Sequence, residues 1–169
     1  MTVSAPPSDS PTEPDDPHIA ARRRWMAVLA RGSAAELADH WGRLGEGLSH
    51  DRLRAPESGL VMVRGRAGGS GSPFNLGEMT VTRCSVRLAG GAGGPARVGH
   101  ATVAGRDRRH AELAALFDAL LQDPARHDAV ERTVIAPLEA AQAAAAEARS
   151  RKAAATKVDF FTMVRGEDT

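Results

Sequence analysis

The chain has 169 residues, enough for one domain with a buried core, and its 22 Lys and Arg against 21 Asp and Glu leave a formal charge of +1. Its single cysteine, Cys84, excludes an internal disulfide framework and any metal site built on several thiolates. Aromatic residues make up only 4% and alanine is abundant, so the expected core is thin and partly helical.

Residues 1–17 hold Asp9, Glu13, Asp15 and Asp16, no Lys or Arg, and many Pro, Ser and Thr. They have almost nothing to bury and are expected to be a disordered extension. With those four acids set aside, 22 basic side chains face 17 acidic ones, a mildly basic body. The start shows no basic-then-apolar secretory signal. No stretch approaches the roughly 20 apolar residues that span a bilayer. A cytoplasmic protein without membrane contact is expected.

Asp16-Pro17 offers an N-cap followed by proline in the first helical turn, opening a helix over about 17–31 with Ile19, Trp25, Met26 and Leu29 to one side and Gly32 as its stop. Ser33-Ala34-Ala35-Glu36 has the capping-box pattern and opens a second helix with Leu37, Trp41 and Leu44 at helical spacing. That second helix lacks the polar, base-reading face of a helix–turn–helix DNA reader, so no nucleic-acid partner is expected. From about residue 52 the period changes to two. Leu53 and Ala55 suggest a short strand and Leu60 to Ala67 a longer one. Over Met79 to Leu88, Thr80, Thr82, Cys84, Val86 and Leu88 share a face, and a further strand follows near Ala96 to Ala104. The short, Gly-rich connections favour an antiparallel meander of three or four strands, ended by Gly105.

Asp107 can cap a helix to about Gln122 that buries Leu113, Leu116, Phe117 and Leu120. Asp123-Pro124 repeats the cap-plus-proline device, Val130, Val134 and Ile135 continue an apolar stripe, and Pro137 is expected to kink or end that helix. Glu139 to Lys157 is strong in helix propensity but nearly empty of large apolar residues, the composition of an arm rather than a core helix. Residues 158–169 then form an apolar tail. Termini are normally polar and frayed, so Phe160, Phe161, Met163 and Val164 point to docking, either on the chain's own domain or on a partner. The expected architecture is α+β: a disordered extension at 1–17, one α+β domain at 18–157 made of a helix pair, the meander and C-terminal helices, and a docking tail at 158–169.

No self-sufficient catalytic constellation is visible. Gly68-Gly69-Ser70-Gly71 lacks the lysine and following helix of a P-loop, leaving a flexible loop or a backbone nest for a phosphate. His110-Ala111-Glu112 matches half of the zinc deaminase signature, but the Pro-Cys-x-x-Cys half is absent. His40, His50, His100, His110 and His127 show no ligand-like spacing, so no metal site is expected. Ser58-Gly59 and Ser70-Gly71 lack the nucleophile-elbow context, and Cys84 reads as a small apolar strand residue. Where the meander meets the next helix, Arg106, Asp107, Arg108 and Arg109 stand together. There Asp107 reads as an N-cap, or Arg106 as a ligand for a partner carboxylate or a polyphosphate.

The run Asp159-Phe160-Phe161-Thr162-Met163-Val164-Arg165-Gly166 resembles the C-terminal signature of the PhnG family, one of the core components of the phosphonate carbon–phosphorus lyase complex. Arg24 to Ala30 and Ala35 to Ala38 are similar to that family's opening, and Glu57 to Val61 with Arg66 to Gly71 to its middle. Gly77 to Arg83, Gly105-Arg106-Asp107, Leu120-Leu121-Gln122 and Ile135 to Leu138 follow in the family's order, so the likeness spans roughly residues 22–169. The proline-rich extension departs from the pattern.

The resemblance implies an accessory component that works with the carbon–phosphorus lyase core subunits PhnI, PhnH and PhnJ and the ATP-binding-cassette protein PhnL. The complex would displace adenine from ATP with methylphosphonate to give ribose 1-methylphosphonate 5-triphosphate. It implies ATP and methylphosphonate as substrates of the complex and no cofactor on this chain. Phe160, Phe161, Thr162, Met163, Val164 and Arg165 are the implied partner-binding residues. A second reading has the chain contribute one active-site residue across an interface within the complex, with Arg106 and His110 as candidates. A third is a stand-alone α+β adaptor.

Overall fold

A computed structural model describes residues 16–67, 71–90 and 94–156. The residues of the extension up to Asp15, Gly68-Gly69-Ser70 of the glycine-rich loop and the tail with Phe160, Phe161, Thr162, Met163, Val164 and Arg165 lie outside the described residues. The fold is α+β: helices α1 (Pro17–Leu29) and α2 (Ala34–Leu44), strands β1 (His50–Arg66), β2 (Pro73–Leu88) and β3 (Arg97–Ala104), then helices α3 (Arg108–Leu121), α4 (Pro124–Val130) and α5 (Ala136–Ala155). The strands form an antiparallel sheet in the order β1-β2-β3.

Helix α3 lies between the sheet and the other helices. Every residue from His110 to Leu121 is buried, as befits a helix that is apolar nearly all round. Its bulky residues Leu113, Leu116, Phe117 and Leu120 form the centre of the core, each stabilising the fold by about 1.5–3 kcal/mol. The sheet meets it with the expected face of β2, where Thr82, Cys84, Val86 and Leu88 are buried, and with Gly99, Ala101 and Val103 of β3. Gly99 has no alternative here. A Cβ at that position would lie 1.9 Å from the Ala115 carbonyl oxygen and 2.7 Å from the Ala119 nitrogen.

The local signals act as read at three helix starts. Asp16, Asp107 and Asp123 accept hydrogen bonds from the backbone N–H groups of His18, His110 and Ala125 at 2.9, 2.9 and 3.1 Å. Four expectations are corrected. Ser33 stands at the N-cap of α2 but its side chain makes no capping hydrogen bond. Ile19 is 49% exposed, because the first turn of α1 runs past the core; Trp25, Val28 and Leu29 are buried in it and Met26 packs against it. The two strands read around Leu53 and Leu60 are one strand, β1, which carries Ala55 and Pro56 past Ser85 and Arg83 in a register shift. An edge strand tolerates proline at such a bulge. Pro137 neither ends nor breaks the helix. A π-helical turn over Glu131–Ile135 precedes it, in which the Ala136 N–H donates to the Glu131 carbonyl five residues back. The wider turn lets α4 run into α5 where proline would otherwise meet the carbonyl of the preceding turn.

Gly99→Ala forces backbone against backbone. It is expected to cost about 3 kcal/mol and to lower the melting temperature by roughly 6–12 °C. Gly59→Ala, with nothing within 4 Å of the new methyl group, serves as control. Equal melting curves for the two variants would refute the close approach of α3 to β3.

Candidate functional site

Gly105 ends β3 with φ +87°, and its backbone is held by Thr82, whose hydroxyl donates to the Gly105 carbonyl at 2.8 Å. Arg106 follows on the surface, exposed, and Asp107 caps α3. The next two residues, Arg108 and Arg109, line an open cleft of about 380 Å³ together with Arg52, Ala55 and Pro56 of β1 and Glu112 of α3. At its base the buried Glu112 carboxylate accepts from Arg52 Nε at 2.6 Å and from Arg109 Nη1 at 3.5 Å, with His50 Nε2 3.7 Å away. Burial by itself pushes the Glu112 carboxyl up. The hydrogen bond and charge of Arg52, with the charges of Arg109 and His50, outweigh it and hold the group below the usual carboxylate range. The same bond raises the already high pKa of Arg52.

His110 does not face this cleft's charges. It is 8% exposed and its Nε2 lies 2.8 Å from the Leu29 carbonyl, where it can donate and tie α3 to the end of α1. Cys84 is buried near Glu112, and burial first, then the Glu112 charge, push its thiol up to about 11. At neutral pH it is a thiol, 3.5 Å from the Arg54 carbonyl, not a nucleophilic thiolate. Among the described residues no group of three or more His, Cys, Asp or Glu side chains could hold a metal ion. No helix there is long and apolar enough to cross a membrane. The chemistry the cleft itself offers is the holding of an anion by guanidinium groups.

A second polar centre escaped the sequence reading. Asp118 is fully buried on α3 and accepts from Arg22 twice, at 3.1 and 2.7 Å, from Trp25 Nε1 at 2.9 Å, from the His100 N–H at 2.9 Å and from Gln122 Nε2 at 3.3 Å. Its donors are spread over α1, β3 and the end of α3, so spacing in the sequence carries no trace of it. The one local hint is an acid inside the apolar run Leu113–Leu121, for a buried carboxylate needs partners. Trp25 also packs edge-on against His127, with ring centroids 5.7 Å apart, over a groove of about 720 Å³ that Ile19, Arg97, Pro124 and Asp128 help to line.

The sign of the Glu112 contribution is set by its lowered pKa. Its stabilisation is present above the ordinary glutamate value of about 4.3 and is lost as pH falls through the lower folded value. Glu112→Gln is therefore expected to cost about 1–3 kcal/mol at neutral pH, with the gap to the parent chain narrowing below about pH 4. Urea midpoints at the two pH values measure it, and a gap that stays constant would exclude an ionised Glu112.

The family model described as "Phosphonate metabolism protein PhnG" matches residues 20–166. A curated relative from Rhizobium meliloti (strain 1021), named alpha-D-ribose 1-methylphosphonate 5-triphosphate synthase subunit PhnG, is 47% identical over 163 residues, which cover 95% of this chain and 99% of the relative. The matched span takes in most of α1, the whole sheet, the arginine-lined cleft and all three later helices. The chain belongs to the PhnG family of phosphonate metabolism proteins.

Proposed function

We propose that this chain is the PhnG component of a cytoplasmic α-D-ribose 1-methylphosphonate 5-triphosphate synthase, the step that commits phosphonates to the carbon–phosphorus lyase complex. The observation that carries this reading is the 47% identity that runs through almost the full length of both chains. In the reaction, a phosphonate oxygen of methylphosphonate takes the place of the adenine nitrogen at C1′ of ATP. Adenine leaves with a proton, and the triphosphate stays on the ribose. This chain acts there in an accessory role beside PhnI, PhnH and PhnJ, with PhnL. The tail residues Phe160, Phe161, Thr162, Met163, Val164 and Arg165 dock it to a partner. Co-purification with PhnI, followed by an assay of adenine release with and without methylphosphonate, tests the reading. This chain alone is expected to release no adenine, and the complex lacking residues 158–169 of this chain is expected not to assemble. Normal yield of complex from the shortened chain would remove the tail from the docking surface.

A second reading, in which the chain lends a residue to the active site, is favoured by one observation. Arg106 is exposed two residues before Arg108 of the arginine-lined cleft, whereas His110 has its Nε2 against the Leu29 carbonyl. Arg106→Ala separates the two. As a surface residue before the Asp107 cap, its loss leaves turnover per assembled complex unchanged. As a contact to the reacting phosphonate or polyphosphate, its loss slows turnover tenfold or more, each factor of ten corresponding to about 1.4 kcal/mol of lost transition-state stabilisation. Unchanged turnover is the expected result.

A further inference from the structure

Strand β3 pairs with β2 from Val81 to Leu88 and no further. Beyond that point β1 and β2 continue as a two-stranded ribbon, with Leu60–Arg66 on one side and Pro73–Thr80 on the other. Leu60–Arg66, at about 3.3 Å per residue, makes an arm about 23 Å long. Such a ribbon without a third strand or a helix on it is marginal in water.

This ribbon exposes large apolar residues on both faces, one of which also carries Glu78, Arg64 and Arg66. The pairing register puts Val61 beside Met79 and Gly65 beside Phe74 on one face, while Leu60 and Met62 point to the other. Leu76 is the extra residue where the register shifts between Val63 and Arg64, and it leans across Gly65 onto the face of Phe74. Leu60, Met62, Phe74, Leu76 and Met79 are 62, 52, 47, 61 and 43% exposed, so neither face is covered by any described residue. Scattered surface apolar residues need no explanation, but a contiguous two-sided set marks an interaction surface.

The geometry points to this arm as the element that inserts into a two-walled apolar cleft of another protein of the synthase. The assignment rests on the chain's being a component of that synthase. Three features select that occupant. A ribbon about 23 Å long and roughly 10 Å wide offers about 460 Å² on its two faces, too little for an independent dimer beside the roughly 800 Å² per partner of a standard stable interface and fitting as one element of a larger contact. A second copy of the arm, or one strand of the chain's own tail, would cover one face and leave the other in water. The charge is one-sided as well. Exposed Arg64 and Arg66 share the face of Leu60 and Met62 at the tip, beyond the Glu78 that stands opposite Met62, so the cleft should be apolar within and acidic only at the rim that meets the two arginines.

The test uses the full chain produced together with the other synthase proteins. One variant carries Leu60→Asp and Met62→Asp, another Val61→Asp and Leu76→Asp, and a control carries Ile19→Asp, exposed on α1. Recovery of the chain in the purified complex is compared with the melting curve and the light-scattering mass of the chain alone. Each arm variant is expected to lower recovery tenfold or more, while the control enters normally and the melting temperatures stay together. If an aspartate variant melts lower, threonine at the same positions keeps the strand propensity and should show the same loss of recovery at the parent melting temperature. A loss confined to one face overturns the two-walled cleft. An isolated chain that is a dimer, and that one arm variant turns into a monomer, makes the second copy the occupant and overturns the proposal. Normal entry of both arm variants overturns the arm alone. Failure of the unaltered chain to enter the complex overturns the synthase reading itself, and this assignment with it.

Discussion

The contact on which the rest of the structure depends is the one without side chains. Helix α3 rests on β3 at Gly99, close enough that the Ala115 carbonyl and the Ala119 N–H occupy the space a Cβ would need. Ala111, Ala115 and Ala119, one turn apart and all fully buried, make a narrow face for that approach. Seating the helix so low removes it from water on its sheet side, and its Leu and Phe residues demand cover on the other. Helices α1, α2 and α4 supply that second layer. Trp41 of α2 closes over Phe117 edge-on, with centroids 5.9 Å apart, and His110 secures the end of α1.

Burying α3 from His110 to Leu121 also buries two carboxylates, and they have different surroundings. Asp118 is enclosed and saturated. Its two oxygens collect donors from α1, β3 and the end of α3, so it joins three elements and has little capacity left for a ligand. Removing any one donor would leave a buried charge short of a partner, which is costly. Glu112, 4% exposed, lies under a cleft whose Arg52 and Arg109 side chains are more than half exposed. A surface ion pair contributes little stability, but here the acceptor is buried, and the pair fixes where the guanidinium groups of Arg52 and Arg109 stand. On α1, Arg24 grips Glu131 at 2.6 Å and Glu139 at 2.7 Å across the π-helical turn. The bonds to Glu139 and then Glu131 raise the already high pKa of Arg24, and its hydrogen bond lowers that of Glu139. Arg24 and Glu139 are 42 and 43% exposed, so their pair orients α5 more than it stabilises it.

Two parts of the chain are poorly accounted for by the needs of its own core. The ribbon beyond β3 keeps large apolar residues in water on both faces. Helix α5 contributes Leu138 to the core and the Gln142 side chain to the Val28 carbonyl at 2.9 Å, then runs exposed to Ala155. A helix so rich in alanine forms readily from backbone preference and needs no packing to persist beyond its anchored first turns. Both features suit a chain that completes its burial in an assembly.

The sequence by itself determined the elements whose causes lie within a few residues. The aspartate caps at 16, 107 and 123, the alternation of Thr82, Cys84, Val86 and Leu88, and the stripe of Leu113, Leu116, Phe117 and Leu120 were legible because each depends on neighbours in the chain. At the candidate site, the Asp107 cap was legible for the same reason, and the family was legible in the ordered motifs. Other features only the tertiary structure decided. Pro137 sits in a continuous helix because a π-helical turn widens the backbone before it, and β1 runs through Pro56 because it is an edge. Arg52 reaches Glu112 across 60 residues, and Asp118 draws Arg22 from 96 residues away. Periodicity says which side chains share a face, but not whether anything covers that face. That is why Leu60 and Met62 read as ordinary strand residues and stand in water. Register, the close approach at Gly99 and the partners of buried charges are set by segments that meet only when the chain has folded.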